Sequence, residues 1–188
     1  HAERLAAEEG YRYVHSANEP ALLAGVATAG LEVVEDLPEV DVVFSPVGGG
    51  SSASGYCLTT GALADATVVG VQSEAAPAVH RAWRDDTLEA HPRMDTVAEG
   101  LATSVPFALT TCFLRDHLDD FRLVSDDDIQ SAIGWLLNED HVHAEGASAA
   151  PVAAVLEAGT DLAGKTVVIP VSGRNLSMST LRDVVAGE

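Results

Sequence analysis

An apolar run that leads into three consecutive glycines is the feature that most constrains how this chain can fold. Residues Val40–Phe44 read as a buried strand, Gly48-Gly49-Gly50-Ser51-Ser52 follow it closely, and a helix-like segment begins near Ala53. Glycine lets the backbone approach an anion closely, and a helix N-terminus offers unpaired N–H groups and a favourable dipole. The order of strand, glycines and helix therefore predicts an α/β unit with a phosphate-binding turn.

Strand-like and helix-like segments alternate along the rest of the chain. The expected strands are Tyr11–Val14, Asp41–Phe44, Thr67–Val71, Phe121–Val124 and Thr166–Val171. The expected helices are Ala2–Glu9, Pro20–Leu37, Ala53–Ala64, Phe107–Asp116, Ile129 to about Asn138, and Ala147–Ala158. Three prolines interrupt residues 75–106, which give no clear prediction. This alternation predicts an α/β fold with an open parallel sheet covered by helices on both faces.

A second glycine-containing turn follows the last expected strand. Ser172-Gly173-Arg174-Asn175 comes directly after Val171, and the carboxyl ends of parallel strands are where ligands bind. A hydroxyl there could hydrogen-bond a heteroaromatic nitrogen; the alternative is a turn whose serine only caps the next helix. Neither turn has the Gly-Lys-Ser/Thr ending of a P-loop. Gly48, Gly50 and Ala53 do match G-x-G-x-x-A, with Glu74 as a ribose acceptor, so a Rossmann-like dinucleotide-binding module stays open.

Charge and composition exclude several classes of function. The 188 residues include 29 acidic and 10 basic ones, the formal net charge is −19, and Lys165 is the only lysine. Such a surface repels nucleic acid and anionic membranes, and no apolar run approaches the roughly 18–20 residues of a membrane span. Because the acids are spread along the chain, we expect a halophilic protein, with an acidic partner-binding face as the alternative. The N-terminus is acidic rather than a basic leader.

The two cysteines lie far apart in the sequence. Cys57 and Cys112 form no CxxC pair, and both fall in apolar, helix-like runs. We expect both to pack as small hydrophobic side chains and to stay reduced, which indicates a cytoplasmic location.

Five motifs follow one another along the chain: Val47-Gly48-Gly49-Gly50, Gly70-Val71-Gln72-Ser73-Glu74, Thr96-Val97-Ala98-Glu99-Gly100, Ala144-Glu145-Gly146-Ala147 and Ser172-Gly173-Arg174-Asn175. In this order they resemble the serine/threonine dehydratase family, whose members are pyridoxal-phosphate enzymes of fold type II, the tryptophan synthase β type. The resemblance covers nearly the whole chain and implies pyridoxal 5′-phosphate as the cofactor. The cofactor-binding residues that it implies are Gly48, Gly49, Gly50, Ser51 and Ser52 for the phosphate, Gly100 and Glu145 near the ring, Ser172 at the pyridine nitrogen, and Asn175.

The sequence also departs from that family. The family uses a Schiff-base lysine in a Ser-x-Lys-x-Arg-Gly segment, which this chain lacks, and Lys165 lies in an expected surface turn. The resemblance thus implies no catalytic residue here. Residues 1–18 would be the end of the small domain and residues 19–188 the C-terminal part of the large domain. The missing N-terminal part of the same enzyme would be a necessary partner, without which the chain is inactive.

No metal site is expected. The acids of a divalent-cation site found in some relatives are replaced by Gln72 and Ala78. His141-Val142-His143-Ala144-Glu145 alternates like a zinc cluster, but no fourth ligand is evident.

The resemblance implies that the full enzyme is an L-threonine or L-serine dehydratase that forms a 2-oxo acid and ammonia. A neutral Ser172 at the ring nitrogen suits β-elimination. We expect a homo-oligomer acting on a small amino acid. The alternatives are an amino-acid racemase or a β-replacing synthase of the same fold, the dinucleotide-binding module, and a remnant that binds nothing.

Overall fold

Four parallel strands form one sheet in the computed structural model, which describes residues 1–187. They are β1 (Val42–Pro46), β2 (Thr67–Ser73), β3 (Asp120–Val124) and β4 (Val167–Val168), in the spatial order β3-β2-β1-β4. The register pairs Val43 with Val68 and Val71 with Arg122, and β4 pairs with β1 at Val42 and Val43. The continuous β-branched runs of β1 and β2 place both strands inside the sheet, buried on both faces.

Helices cover both faces of this sheet, as the alternating pattern predicts. They are α1 (Ala2–Glu9), α2 (Pro20–Asp36), α3 (Ser51–Tyr56), α4 (Ala62–Ala64), α5 (Ala78–Asp85), α6 (Ala108–His117), α7 (Asp126–Glu139), α8 (Gly146–Ala158) and α9 (Met178–Ala186). A π-helical turn, Cys57–Gly61, joins α3 to α4. Val43, Val47 and Val68 pack with α3, α5 and α6, whereas Val42 and Phe44 pack with α7 and α8. The α/β fold with two helical layers is confirmed.

Local sequence explains where several helices begin. Pro20 opens α2 after Glu19, whose side chain accepts a hydrogen bond from the N–H of Ala21. Ser125 caps α7, because its Oγ accepts from the N–H of Asp128 at 3.1 Å. The small residues of α8 let that helix lie close to the sheet, and every residue from 146 to 154 is buried.

Several expected elements differ from the observed ones. Residues 11–14 form no strand, because the segment has no neighbouring strand to pair with. The segment lies at the surface, where Tyr11 is 65% exposed. Strand β4 is only two residues long, since it pairs with β1 alone and Pro170 has no N–H for a ladder. Helix α5 lies in the stretch that gave no clear prediction, and α3 begins at Ser51 rather than Ala53.

The two cysteines lie in different environments. Cys57 is buried as expected, but Cys112 is exposed, so the prediction that it packs in the core is wrong. Among the described residues, no helix is long and apolar enough to cross a membrane.

Candidate cofactor site

The turn between β1 and α3 has the geometry of an anion-binding turn. Gly50 has a left-handed backbone (φ 89°) and precedes the first helical residue, Ser51. Within the part of the chain that the structure describes, no side chain caps this helix start. The first N–H groups of α3 are therefore available to an anion, and the hydroxyls of Ser51 and Ser52 lie beside them.

Close packing holds this turn against two other segments. A Cβ on Gly48 would overlap the carbonyl oxygen of Gly100, so these two backbones lie in contact. Thr110 of α6 donates its hydroxyl to the carbonyl of Gly49 at 2.6 Å. The glycines therefore serve packing as well as any ligand, and Gly48 places the turn beside the 3₁₀ turn Glu99–Leu101.

Glu145, at the start of α8, connects that helix to the turn that carries Ser172. Its carboxylate Oε2 accepts a hydrogen bond from the N–H of Asn175 at 2.9 Å, and its own N–H donates to the carbonyl of Gly173 at 3.1 Å. A Cβ on Gly173 would overlap the carboxylate, so the side chain lies directly against that glycine. Ser148 accepts from the N–H of Gly173 at 2.9 Å and is only 1% exposed. Glu145 and Ser148 together fix the position of the turn.

These segments line an open cavity of about 210 Å³ at the carboxyl ends of β1 and β4. The lining residues are Pro46, Gly48, Gly49, Gly50, Ser51, Ser52, Gly100, Leu101, Glu145, Ala147 and Ser172. Eight of the nine cofactor-binding residues expected from the sequence therefore meet in one cavity. Asn175 instead lines a neighbouring cavity of about 450 Å³, which shares Gly100, Glu145 and Ala147 with the first.

The cavity suits a phosphate that is bound by uncharged groups. Among the described residues that line it, Glu145 is the only charged one, and no lysine or arginine contributes. A phosphate would be held by backbone N–H groups of α3 and by serine hydroxyls rather than by ion pairs. Lys165 is exposed and precedes β4, so it lies at the amino-terminal end of that strand, whereas the cavity lies at the carboxyl-terminal end.

The residues considered for a dinucleotide site or a metal site are not part of this cavity. Glu74 is exposed and is not among the described residues that line the cavity. Within residues 1–187, no three His, Cys, Asp or Glu side chains are grouped to hold a metal ion. Gln72 is fully buried and accepts a hydrogen bond from the N–H of His80 at 3.0 Å. Burial, with a smaller contribution from the charge of Arg84, lowers the pKa of His80.

One contributor was not found by reading the sequence. Asp126, at the start of α7, accepts hydrogen bonds from Ser73, Thr96 and Val97 and so holds the segment that leads to Gly100. The only local signal was an acid in the first turn of a helix, which indicates no more than an interaction with the helix dipole.

Comparisons with known proteins agree with this geometry. Residues 1–173 match the model of the family of pyridoxal-phosphate-dependent enzymes. The L-threonine ammonia-lyase of Thermotoga maritima is 37% identical over 185 residues, which are 98% of this chain and 46% of that protein.

Solved structures share the same fold. Threonine deaminase isoform 2 from Solanum lycopersicum superposes with a TM-score of 0.92 at 24% identity, over 98% of this chain and 55% of that one. Serine racemase from Dictyostelium discoideum gives 0.84 at 27% identity, over 94% and 56%. The chain therefore belongs to the family of pyridoxal-phosphate-dependent enzymes and has the fold of its fold type II members. The expected family, fold class and cofactor are confirmed, and the chain spans about half the length of these relatives.

Proposed function

We propose that this chain is the phosphate-binding part of a pyridoxal-phosphate enzyme that eliminates water from L-threonine or L-serine. The observation that carries the proposal is the single cavity that joins the turn of Gly48–Ser52 to Gly100, Glu145 and Ser172. Bound pyridoxal phosphate withdraws electrons from the α-carbon of an amino acid, so that the α-proton can leave. Loss of the β-hydroxyl as water would leave an enamine, which tautomerises to an imine, and water would hydrolyse that imine to a 2-oxo acid and ammonia.

Several residues in and beside the cavity have a defined part in this proposal. The N–H groups at the start of α3, with Ser51 and Ser52, bind the phosphate. Ser172 is uncharged and would hydrogen-bond the ring nitrogen without placing a charge there, which suits elimination. Asn175 contributes through its backbone N–H, which binds Glu145 and so steadies the turn that carries Ser172.

The remainder of the enzyme lies outside this chain in our proposal. Residues 1–18 would be the end of the small domain and residues 19–188 the C-terminal part of the large one. The missing part would supply the lysine that binds the cofactor, and it would cover the β4 edge, where Val167 and Val168 are only half-buried. The chain's coverage of 46% of its Thermotoga relative supports such a missing part. We further propose that the full enzyme is located in the cytoplasm, forms a homo-oligomer and is adapted to high salt.

The test uses the full-length protein with pyridoxal phosphate. We expect an absorbance band from bound cofactor, and release of 2-oxo acid from L-threonine or L-serine. The 188-residue chain alone is the control, and it should release none. Pyridoxal phosphate should raise the melting temperature of the full-length protein, whereas NAD should not. A full-length protein with neither the absorbance band nor 2-oxo acid release would refute the proposal.

Racemisation is the second candidate, because serine racemase from Dictyostelium discoideum shares the fold at 27% identity. The two reactions separate in one assay of L-serine, in which chiral chromatography measures D-serine and a coupled assay measures 2-oxo acid. D-serine formed faster than 2-oxo acid would favour the racemase.

A further inference from the structure

A single carboxylate joins the segment Thr96–Gly100 to the framework of the sheet. Asp126 Oδ1 accepts from the hydroxyl of Ser73 at 2.8 Å and from that of Thr96 at 2.7 Å. Its Oδ2 accepts from the N–H of Val97 at 3.0 Å. Ser73 is the fully buried last residue of β2, so one side chain links a strand end, a helix start and a loop. Hydrogen bonds to an ionised acceptor are the stronger kind.

The loop that Asp126 holds reaches the wall of the cofactor cavity. Thr96 Oγ1 also accepts from the N–H of Ala98 at 3.1 Å, and Ala98 is fully buried. The carbonyl of Ala98 then accepts from Leu101 at 2.8 Å, which closes the turn that carries Gly100. Because Gly100 lies against Gly48, a shift of Thr96 would move one wall of the cavity relative to the phosphate-binding turn.

Helix capping does not account for this arrangement. Ser125 already caps α7, through the N–H of Asp128. Asp127 shares the first turn and its dipole, but it is exposed and makes no side-chain hydrogen bond within the described part of the chain. Asp126 is partly buried and makes three long-range contacts that Asp127 lacks, while both acids share the first turn of α7, so Asp127 serves as the control for an experiment.

We infer that Asp126 is a positioning residue for the cofactor site: it holds the segment Thr96–Gly100 against the phosphate-binding turn. This inference rests on the proposed function, because the site it serves is the pyridoxal-phosphate cavity. Asp126 itself lies outside the cavity lining, and its loss should weaken cofactor binding.

The test compares Asp126→Ala with Asp127→Ala in the full-length protein. Titration of the apoprotein with pyridoxal phosphate, followed by fluorescence, should give a Kd raised at least about tenfold for Asp126→Ala, as expected for loss of hydrogen bonds to a charged acceptor. The Kd of Asp127→Ala should stay within about twofold of wild type. Without cofactor, hydrogen exchange of residues 96–101 should be faster than in wild type for Asp126→Ala but not for Asp127→Ala.

A second variant keeps the test valid if Asp126→Ala does not fold. Thr96→Val replaces the hydroxyl by a methyl group, which removes the hydrogen bonds of Thr96 with Asp126 and with the N–H of Ala98, and it should raise the Kd and speed the exchange of residues 96–101. Where Asp126→Ala does fold, the effects of the two substitutions should not add in the double variant. If Asp126→Ala lowers the melting temperature but leaves the Kd and the exchange of residues 96–101 unchanged, the role is merely structural and the inference fails. If wild type itself binds no pyridoxal phosphate, the proposed function fails and the cofactor role fails with it. The exchange rates then decide separately whether Asp126 holds the loop.

Discussion

Replacing Gly48 by alanine should destabilise the protein and weaken cofactor binding together. The added Cβ would overlap the carbonyl oxygen of Gly100, which is a backbone atom and cannot rotate away. One of the two segments must therefore move. Overpacking costs about 1–3 kcal/mol, and we expect about 3 here because both partners are backbone and the neighbouring Val47 is fully buried. For a unit of this size, that cost lowers the melting temperature by roughly 6–12 °C.

The assay is thermal unfolding by circular dichroism, with pyridoxal phosphate affinity measured on the same samples. Gly25→Ala is the matched control, because Gly25 lies in α2 with nothing within 4 Å of its added Cβ. Alanine is the better helix former, so this variant should be more stable by up to about 1 kcal/mol. The reasoning is refuted if Gly48→Ala unfolds at the wild-type temperature and binds the cofactor as tightly as wild type does.

Three further predictions concern other parts of the molecule. Burial lowers the pKa of His80 in the native state. Below about pH 6.5 the unfolded chain therefore binds a proton that the native state does not bind, so the free energy of unfolding decreases as the pH is lowered. The urea midpoint of His80→Gln should fall less than that of wild type between about pH 7 and about pH 5.5; equal losses would contradict this. Exposed Cys112 should react with a thiol reagent in the native state, whereas Cys57, whose pKa burial raises to about 12, should react only after unfolding. With a net charge of −19, the melting temperature should rise between low and molar salt, and a flat response would contradict salt adaptation.

The elements that the sequence predicted well are those whose signals are local. The β-branched runs gave β1 and β2, and the helix expected from Ile129 to about Asn138 is α7, which begins three residues earlier, at Asp126. Residues Tyr11–Val14 were expected to form a strand, but a strand exists only with a partner, and the segment has none among the described residues. Likewise, the apolar residues after Val168 could not show that β4 lies at a sheet edge.

The residues of the candidate site also differ in whether a local sequence signal could identify them. Glycines after a strand indicate an anion-binding turn, because backbone conformation is encoded locally. The role of Asp126 could not be read this way, since its partners Ser73 and Thr96 lie 53 and 30 residues away in the sequence. Asn175 was expected to bind the cofactor as part of its loop. The structure shows that its backbone N–H is directed to Glu145, whose side chain lies between the two cavities.

The charge of the protein and the chemistry of the site are connected. A net charge of −19, with Glu145 as the only charged residue among the described ones that line the cavity, repels an anionic phosphate at long range. In the proposed site, attraction would then come from donors in contact with the phosphate, namely the N–H groups at the start of α3 and the two serine hydroxyls. At about 1 M salt the screening length is about 3 Å, so the repulsion is removed while hydrogen bonds at contact distance remain. A site without lysine or arginine has no ion pair for salt to weaken. An acidic surface is therefore compatible with the proposed phosphate site built from backbone groups, and we expect phosphate binding there to persist at high salt.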